Sequence, residues 1–256
     1  MSADLPPDEQ HVREETLRKL QADPERYLAD YTREFGNVLN ADNAATLFDE
    51  YNQDRARYRE AVHPAATWIR DELFRRALAE RAPAGRNRVV FTAGGNAAGK
   101  STALTFTGMA AQAVAVFDST FSNPEHARRL VEQVLATGKG VSILYVTRPL
   151  EEILGAMLDR AELEGRVVTI DQMIGSHRGA AQGVRALYDE FDYDDGVEFS
   201  FVDNSAYGPR QGLIELTDPK DYTSIRERLN EILKRERQSG RISQENYARI
   251  RGNTRG

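Results

Sequence analysis

From residue 88 onward, the chain alternates between short apolar runs and longer stretches with helical spacing. The apolar runs are VVFTA, VAVFDST, VSILYVT and VEFSFVD, and each is rich in β-branched residues and bounded by turn residues. Short runs of this kind are typical of buried parallel strands. Helical patterns separate them over residues 100–112, 124–137 and 149–163. We therefore predict an α/β fold with a parallel sheet flanked by helices.

Charged helical patterns precede and follow this alternating region. Residues 8–35 carry apolar side chains at helical spacing, and a second helical pattern continues to residue 80. Pro64 lies inside the second pattern and predicts a break or a new helix start. The segment RAPAGRNR reads as a linker. After the last apolar run, we predict a charged helix over residues 221–238 and a short helix in SGRISQENYARIRG.

These patterns divide the chain into three parts that we expect to form one compact unit. A helical N-terminal region, 1–85, packs on a core of residues 86–216, and residues 217–256 add C-terminal helices. The chain has 256 residues, of which 40% are apolar. That is enough for one substantial core with an added lobe.

The turn after the first apolar run has the sequence GGNAAGKST. It matches the P-loop pattern G-x4-G-K-[ST], and it has the preceding strand and following helix that this pattern requires. Glycines lack a Cβ atom, so the backbone N–H groups can turn inward around phosphate oxygens. A helix that begins near Lys100 directs its positive dipole end to the same place.

We therefore predict that this loop binds the phosphates of ATP. Lys100 is expected to reach the β- and γ-phosphates, and the hydroxyl of Ser101 is expected to ligate Mg²⁺. Residues 86–216 would then form a core built around this P-loop. The predicted ATP contacts are Gly94, Gly95, Asn96, Ala97, Ala98, Gly99, Lys100, Ser101 and Thr102.

Composition narrows the class of partner. The net charge is −6, whereas a general polyanion binder is usually basic, so nucleic acid is a disfavoured partner. The chain has no cysteine, which excludes disulfides and cysteine-ligated zinc, and its four histidines show no metal-ligand spacing.

No apolar run approaches the roughly 18 residues of a membrane span. The N-terminus MSADLPPDEQ is unlike a secretory signal, and we expect a cytoplasmic protein.

A P-loop indicates a nucleoside triphosphate but does not define the reaction, so other residues must do so. Asp118 ends the run VAVFD, at the edge of the sheet where ligands bind in α/β folds. It could hold Mg²⁺, directly or through water, or accept a proton from a substrate hydroxyl. Alternatively, Asp118 is a turn residue, and Asn123 caps a helix that begins at Pro124.

Two arginines follow the run VSILYVT. Taking 100° per residue, Arg160 lies about 20° around its helix from Ile153, at the edge of the apolar face. Arg166 follows Gly165 in a loop. Such a pair suits charge neutralisation on a transferring phosphoryl group, and the alternative is that both arginines are simply solvated. No NKxD guanine-reading motif is present, which disfavours a GTPase.

The order of six segments resembles the zeta-toxin family of P-loop kinases, from residue 86 to about residue 210. These segments are GGNAAGKST, VAVFDSTFSN, ATGKGVSILYVTRP, LGAMLDR, GRVVTIDQMIGSH and VEFSFVDNS. The resemblance implies phosphoryl transfer from ATP to a hydroxyl of a small nucleotide-type metabolite, such as UDP-N-acetylglucosamine or NAD. It also implies a possible toxin that an antitoxin protein holds in check.

The resemblance also suggests roles for particular residues. It places Arg160 and Arg166 near the transferred phosphate and His177 near the substrate, although a histidine on a helix surface or in a packing contact is an equal alternative for His177. It places Asp203 and Asn204 near the nucleotide base, although a plain turn is an equal alternative for this pair. We also include Thr120 among the predicted substrate contacts.

One departure from the family pattern concerns the general base. Zeta toxins usually carry an acidic strand soon after the P-loop helix, and its aspartate is the proposed base. Here a single such strand lies between Lys100 and VSILYV, and Asp118 corresponds better to the second acid of the family, judged by its distance to Tyr145. We predict Asp118 as the base. Asp42 is the alternative and a predicted substrate contact, although it could instead cap a helix.

Two other functions remain open at this point. A polynucleotide 5′-hydroxyl kinase shares the loop and an acidic base, but the acidic net charge disfavours it. A nucleotide-binding interaction module without chemistry is the other, and in it the charged N-terminal helices would contact the partner.

Overall fold

The computed structural model describes residues 5–82, 85–205, 210–211 and 222–252. Within these residues, six strands form one sheet. They are β1 (Val38–Leu39), β2 (Arg88–Ala93), β3 (Ala115–Asp118), β4 (Gly140–Thr147), β5 (Val197–Asp203) and β6 (Arg210–Gln211). Their order across the sheet is β1-β3-β2-β4-β5-β6. Strands β1 to β5 pair in parallel and β6 is antiparallel to β5, which confirms the predicted parallel sheet.

Eleven α-helices surround the sheet in the described residues. Five precede the P-loop: α1 (Pro7–Ala22), α2 (Pro24–Phe35), α3 (Ala41–Ala45), α4 (Asp49–Gln53) and α5 (Arg55–Ala79). Four lie between the strands or after β4: α6 (Lys100–Thr107), α7 (Pro124–Leu135), α8 (Leu150–Glu164) and α9 (Ile170–Phe191). The predicted C-terminal helices are α10 (Tyr222–Gln238) and α11 (Gln244–Arg251), whereas the predicted boundary at 216/217 lies outside the described residues.

The two faces of the sheet support two separate apolar clusters. Successive strand residues point to opposite faces, so Val89 and Phe91 join one cluster whereas Val90 joins the other. The first cluster includes buried residues of the N-terminal helices, α7 and α9, and the second includes those of α6, α8, α10 and α11. This two-sided burial explains why the strands are apolar at nearly every position.

The strand order creates a crevice beside the P-loop. Strand β2 lies between β3 and β4, so the chain leaves β2 toward one side and later returns to the other. In parallel α/β sheets, ligands bind where successive connections diverge, outside the carboxyl ends of the strands. The P-loop follows β2 and Asp118 ends β3, with Thr92 opposite Asp118 in register. The fold therefore brings the predicted phosphate loop and the predicted base together.

The segment before the P-loop adds an edge strand that the sequence pattern did not predict. Val38 and Leu39 pair in parallel with Val116 and Phe117 of β3. The buried hydroxyl of Tyr31 donates to the Val38 carbonyl at 2.7 Å and accepts the Asn40 amide hydrogen at 2.8 Å. Burial raises the pKa of this hydroxyl to about 12. Tyr31 therefore holds the chain on both sides of Leu39 against the sheet.

We expect Tyr31→Phe to lower the free energy of unfolding by about 1–3 kcal/mol, because the Asn40 amide loses its acceptor in a part-buried place. Urea denaturation followed by circular dichroism measures this change. The matched control is Tyr58→Phe, since the Tyr58 hydroxyl makes no hydrogen bond within the described residues. Equal unfolding free energies for the two variants would contradict the role given to Tyr31.

Helix α5 runs unbroken from Arg55 to Ala79, so the predicted break at Pro64 is wrong. Proline cannot donate a hydrogen bond to the carbonyl four residues earlier, which here belongs to Glu60. Arg13 of α1 donates from Nη2 to that carbonyl oxygen at 3.0 Å. A neighbouring helix thus supplies the hydrogen bond that proline removes. The predicted helical stretch 8–35 also differs from the structure. It forms two helices, α1 and α2, which are separated at Asp23, the N-cap of α2.

Helix α9 was not predicted, and its glycines explain why. Glycine disfavours helix when judged locally, but here the glycines allow close packing. A Cβ atom at Gly179 would lie 2.7 Å from the Ser122 side chain, and one at Gly183 would collide with the Phe121 carbonyl oxygen. The glycines therefore let α9 pass directly over the loop that follows β3. A capping box at Thr169 starts this helix.

Candidate active site

A cleft of about 830 Å³ lies beside the P-loop and the end of β3. Among its lining residues are most of the residues singled out in the sequence, although they come from distant parts of the chain. Those residues are Asp42, Asn96, Ala97, Ala98, Gly99, Lys100, Ser101, Thr102, Asp118, Arg160 and Arg166. The fold therefore brings the predicted phosphate loop, both predicted acids and both predicted arginines to one cleft.

The P-loop makes a tight turn because the first and last of its three glycines have backbone conformations that residues with a side chain rarely adopt. Gly94 has φ +143° and Gly99 has φ +88°. A Cβ atom at Gly94 would collide with the Val146 carbonyl oxygen, and one at Gly99 would collide with the Asn204 side chain. Ala97 also has positive φ, at +58°. The loop is thus a tight turn between β2 and α6, as the motif predicted.

The N-terminus of α6 presents hydrogen-bond donors to the cleft. The first bond of the helix runs from the Ala103 amide to the Gly99 carbonyl, at 3.0 Å. The amides of Lys100, Ser101 and Thr102 precede it and have no acceptor within the helix. All three residues line the cleft. This arrangement can bind an anion such as a phosphate group.

Lys100 extends from this helix toward the end of β3. Its Nζ lies 3.4 Å from the Gly94 carbonyl oxygen and 3.8 Å from Oδ1 of Asp118. The Lys100 and Asp118 side chains are 15% and 19% exposed, so both are largely shielded yet reachable from the cleft. Among the described residues, Asp118 is the carboxylate that pairs with Lys100.

Two neutral donors hold the Asp118 carboxylate. The Thr92 hydroxyl donates to Oδ1 and the Asn40 side-chain amide donates to Oδ2. Thr92 reaches Asp118 because the two are register partners in β2 and β3. Asn40 follows β1, the neighbour of β3 on the other side. The carboxylate therefore has a defined orientation set by the strands on either side.

The structure corrects the predicted alternative for Asp42. The N-cap of α3 is Asn40, whose Oδ1 accepts the amide hydrogens of Asp42 and Asn43 at 2.6 and 3.2 Å. Asp42 is therefore not the helix cap. Its carboxylate instead pairs with the guanidinium of Arg166. This ion pair joins the N-terminal region to the loop after α8.

Helix α8 places the two arginines. Ile153, the reference for its predicted apolar face, is buried, and Arg160 lies at the edge of that face. Gly165 ends the helix in the left-handed conformation, and the Arg166 amide returns to the Arg160 carbonyl at 3.3 Å. Both arginines consequently line the cleft. Within the described residues, the Arg160 guanidinium has no carboxylate partner.

Residues 108–208 match the family model described as Zeta toxin. Over this stretch, called the zeta toxin region below, the chain is similar to that family, and the match covers less than half of the 256 residues. The region contains Asp118, Arg160 and Arg166, which agrees with the resemblance seen in the sequence. The match begins after the P-loop, so Lys100 and the N-terminal region lie outside it. No curated protein matches the chain.

Three similar crystal structures are those of AvrRxo1-ORF1:AvrRxo1-ORF2 with sulphate ions, with ATP, and in native form. Sequence identity is 14%, 15% and 14%, and the TM-score is 0.49 for each. The alignments cover 85%, 85% and 88% of this chain and 64%, 64% and 66% of the matched chains, less than two thirds of their length.

The zeta toxin region also contains Thr120 and His177, but neither is among the residues that line the cleft. The Thr120 carbonyl oxygen accepts the Gly94 amide hydrogen at 3.4 Å. The Thr120 hydroxyl oxygen lies 2.9 Å from the Ser122 hydroxyl oxygen. A Cβ atom at Gly95 would lie 2.9 Å from the His177 Cα atom. Both residues thus contact the first half of the P-loop. The structure does not bring these two predicted substrate contacts to the cleft.

Two residues support the loop by hydrogen bonds that were not predicted from the sequence. The Ser176 hydroxyl accepts the Asn96 amide hydrogen at 3.1 Å, and Asn204 donates to the Ala98 carbonyl at 3.0 Å. Asn204 was predicted near a nucleotide base or in a plain turn, and the structure shows it bonded to the P-loop. The position of Asn204 directly after β5 was the sequence feature that indicated its place near the P-loop. No comparable signal marked Ser176.

We expect Asn204→Ala to weaken ATP binding about fivefold, because the loss of one hydrogen bond of about 1 kcal/mol loosens the P-loop. Isothermal calorimetry with ATP measures the dissociation constant. Asn230→Ala is the matched control, since it removes an amide-to-carbonyl bond at the surface of α10. Equal affinities for the two variants would contradict the role given to Asn204.

Proposed function

We propose that this protein is an ATP-dependent kinase that phosphorylates a hydroxyl of a small nucleotide-type metabolite. One observation carries the proposal. Lys100 at the start of the P-loop helix and Asp118 at the end of the adjacent strand lie 3.8 Å apart, in a cleft that Arg160 and Arg166 also line. This is the set of charges that phosphoryl transfer requires.

The P-loop end of the cleft suits the triphosphate of ATP. The free amides at the start of α6 can donate to phosphate oxygens, and Lys100 can contact the β- and γ-phosphates. Because the Lys100 side chain is largely shielded from solvent, its charge acts in a medium of low dielectric, where it is more effective than in water.

Mg²⁺ fits this cleft as the metal of the reaction. In phosphoryl-transfer sites, Mg²⁺ is held by one or two protein oxygens together with the phosphates. The described residues contain no cluster of three or more metal-binding side chains that would form an all-protein site. Ser101 and Asp118 are the residues that would hold the ion. When bound, Mg²⁺ neutralises charge on the phosphates.

The transfer step involves one bond made and one broken. The acceptor hydroxyl oxygen bonds to the γ-phosphorus while the bond from that phosphorus to its β-bridging oxygen breaks, and the bonding electrons leave with ADP. Asp118 orients the hydroxyl and takes its proton. A carboxylate has about four lone-pair positions, so the bonds from Thr92 and Asn40 leave positions available. Arg160 and Arg166 stabilise the charge on the transferring group.

The rest of the cleft favours an acceptor that carries phosphate. Its lining includes Arg55, Arg57 and Arg59 from the start of α5 and Arg249 from α11. Arg57 pairs with Asp8 and Arg249 with Glu245, whereas Arg55 lies over the ring of Tyr51. Glu9 and Asp54 also line this part of the cleft, so arginines outnumber carboxylates there by four to two, and this excess supports an acceptor such as UDP-N-acetylglucosamine or NAD.

We expect the double substitution Arg55→Gln and Arg59→Gln to raise the KM for the acceptor at least about tenfold, since a charge-assisted hydrogen bond contributes roughly 1.5–3 kcal/mol. The KM for ATP and kcat should change little, because these arginines would bind the ground state and transition state alike. Arg129→Gln on the exposed side of α7 is the control. A raised KM for ATP instead would assign these arginines to the nucleotide.

Incubation of the purified protein with ATP and either UDP-N-acetylglucosamine, NAD or a 5′-hydroxyl oligonucleotide tests the proposal. Mass spectrometry should detect phosphorylation of one of the two metabolites. Phosphorylation of the oligonucleotide end would instead assign a polynucleotide kinase. ATP binding without phosphorylation of these acceptors, or of any component of a metabolite extract, would favour an interaction module.

We further propose that this kinase acts as a toxin that an antitoxin protein restrains, because loss of an essential nucleotide metabolite stops growth. Induced expression of the wild-type chain should then arrest a bacterial culture, whereas Lys100→Met at equal abundance should not. Equal growth of the two cultures would contradict the toxin role but not the kinase activity.

In the described residues, no helix combines the length and apolar character needed to cross a bilayer.

A further inference from the structure

Asn40 contacts the helix that follows it and the predicted base at the same time. Its Oδ1 accepts the amide hydrogens of Asp42 and Asn43, and thereby caps α3. Its Nδ2 donates to Oδ2 of Asp118. Its own backbone amide donates to the buried Tyr31 hydroxyl at 2.8 Å. Both ends of the side chain and its backbone are therefore held.

The cap determines which way the Asn40 amide points. Two backbone amides can only donate, so the atom that faces them must be the side-chain oxygen. The nitrogen must then face Asp118, and the carboxylate oxygen opposite it must accept. Thr92 donates to the other oxygen, which is also the one nearer to Lys100. The two donors together define the rotation of the Asp118 carboxylate.

We propose that Asn40 is a positioning residue for phosphoryl transfer, because it holds the Asp118 carboxylate in the orientation that presents Oδ1 to the Lys100 side of the cleft. The inference rests on the proposed kinase function. Asn40 lies outside residues 108–208, the zeta toxin region. The segment before the P-loop would thus complete the catalytic site rather than merely pack beside it.

A neighbouring ion pair also supports a catalytic role for the segment before the P-loop. Asp42, two residues after Asn40, pairs with Arg166 of the zeta toxin region. One short stretch therefore contacts both a predicted base and a predicted arginine, each at a side-chain atom. A segment that served only to cover the sheet edge would not need polar contacts to these two charged groups.

Serine separates the two roles of Asn40. Serine is a good helix N-cap, but its hydroxyl ends one bond short of the atom that contacts Asp118. We expect Asn40→Ser to keep the KM for ATP, to lower the melting temperature by about 2–4 °C because the part-buried Asp118 carboxylate loses a donor, and to lower kcat about tenfold to a hundredfold through loss of orientation. The matched control is Asn123→Ser, which makes the same change at the N-cap of α7.

A second measurement does not depend on turnover. If Asn40 holds Asp118, the effects of Asn40→Ser and Asp118→Ala on the melting temperature should not add, whereas those of Asn123→Ser and Asp118→Ala should. A wild type that transfers phosphate, together with full kcat in Asn40→Ser, would overturn the positioning role alone. A wild type with no transfer would end the proposed function and this role together, and additive melting shifts would overturn the contact itself.

Discussion

Lys100→Met should reduce kcat/KM for phosphoryl transfer by roughly a thousandfold, which is the scale reported for loss of one preorganised charge-stabilising donor. Methionine keeps the apolar stem of the side chain but removes the charge that would contact the β- and γ-phosphates. The polar contacts of the Lys100 ammonium are with the Gly94 carbonyl and Asp118, at 3.4 and 3.8 Å, and methionine can fill the space of the stem. We therefore expect the melting temperature to stay close to that of the wild type.

Initial rates with saturating acceptor and varied ATP measure this loss. Lys234→Met is the matched control, because Lys234 is exposed on α10 and does not line the cleft. Calorimetry should also show weaker ATP binding in Lys100→Met, since the lysine would bind the ground state as well as the transition state. Wild-type turnover in Lys100→Met would remove the P-loop from the mechanism.

Asp118→Asn should lower kcat by about 10²–10⁴-fold, the usual range for loss of a general base, and leave ATP binding within a few-fold of the wild type. Asparagine has nearly the same shape, and its carbonyl oxygen can still accept from Thr92 or Asn40. It cannot take a proton from the acceptor hydroxyl. The combination of retained ATP binding and lost turnover separates this variant from Lys100→Met.

Asp194→Asn is the matched control for that substitution. Asp194 is exposed and does not line the cleft, and its side chain accepts the Gly196 amide hydrogen at 2.7 Å. Rapid-quench measurement of kcat on the three proteins makes the comparison. Full turnover in Asp118→Asn would transfer the role of base to Asp42. That outcome would require Asp42 to leave its ion pair with Arg166.

Sequence reasoning succeeded where the determinants are local. The P-loop is a contiguous motif between a strand and a helix, so its glycines and Lys100 could be placed from the pattern alone. Asp118 and Arg160 could be placed because the end of a parallel strand and the edge of a helix face have predictable positions. The structure brings Gly99, Lys100, Asp118 and Arg160 to one cleft, whereas Gly94 and Gly95 are not among the residues that line it.

The same reasoning failed where distant parts of the chain decide the outcome. Strand β1 has two residues and exists because β3 offers an edge and Tyr31 holds it, which no local pattern reveals. The break predicted at Pro64 did not occur because Arg13, from another helix, satisfies the Glu60 carbonyl. Helix α9 was missed because its glycines serve tertiary packing against Phe121 rather than local flexibility.

The candidate site shows the same difference between features set by local sequence and features set by distant parts of the chain. Asp42 lies in the cleft as predicted, yet its partner is Arg166, which is 124 positions away in the chain. Asn40 was missed because the observation that singles it out is a contact with Asp118, which is 78 positions away in the chain. Motifs mark the residues that we propose to bind phosphate, whereas the residues that contact and orient them depend on which strands become neighbours.

The most direct test of the account follows the γ-phosphate itself. Wild-type protein is incubated with Mg²⁺, a metabolite extract and ATP whose γ-phosphate carries heavy oxygen, and products are identified by mass spectrometry. The account predicts that the intact labelled phosphoryl group appears on a hydroxyl of a nucleotide-type metabolite, and that Lys100→Met and Asp118→Asn form none of this product. Label that remains in ATP, or that appears only in free phosphate, would contradict it.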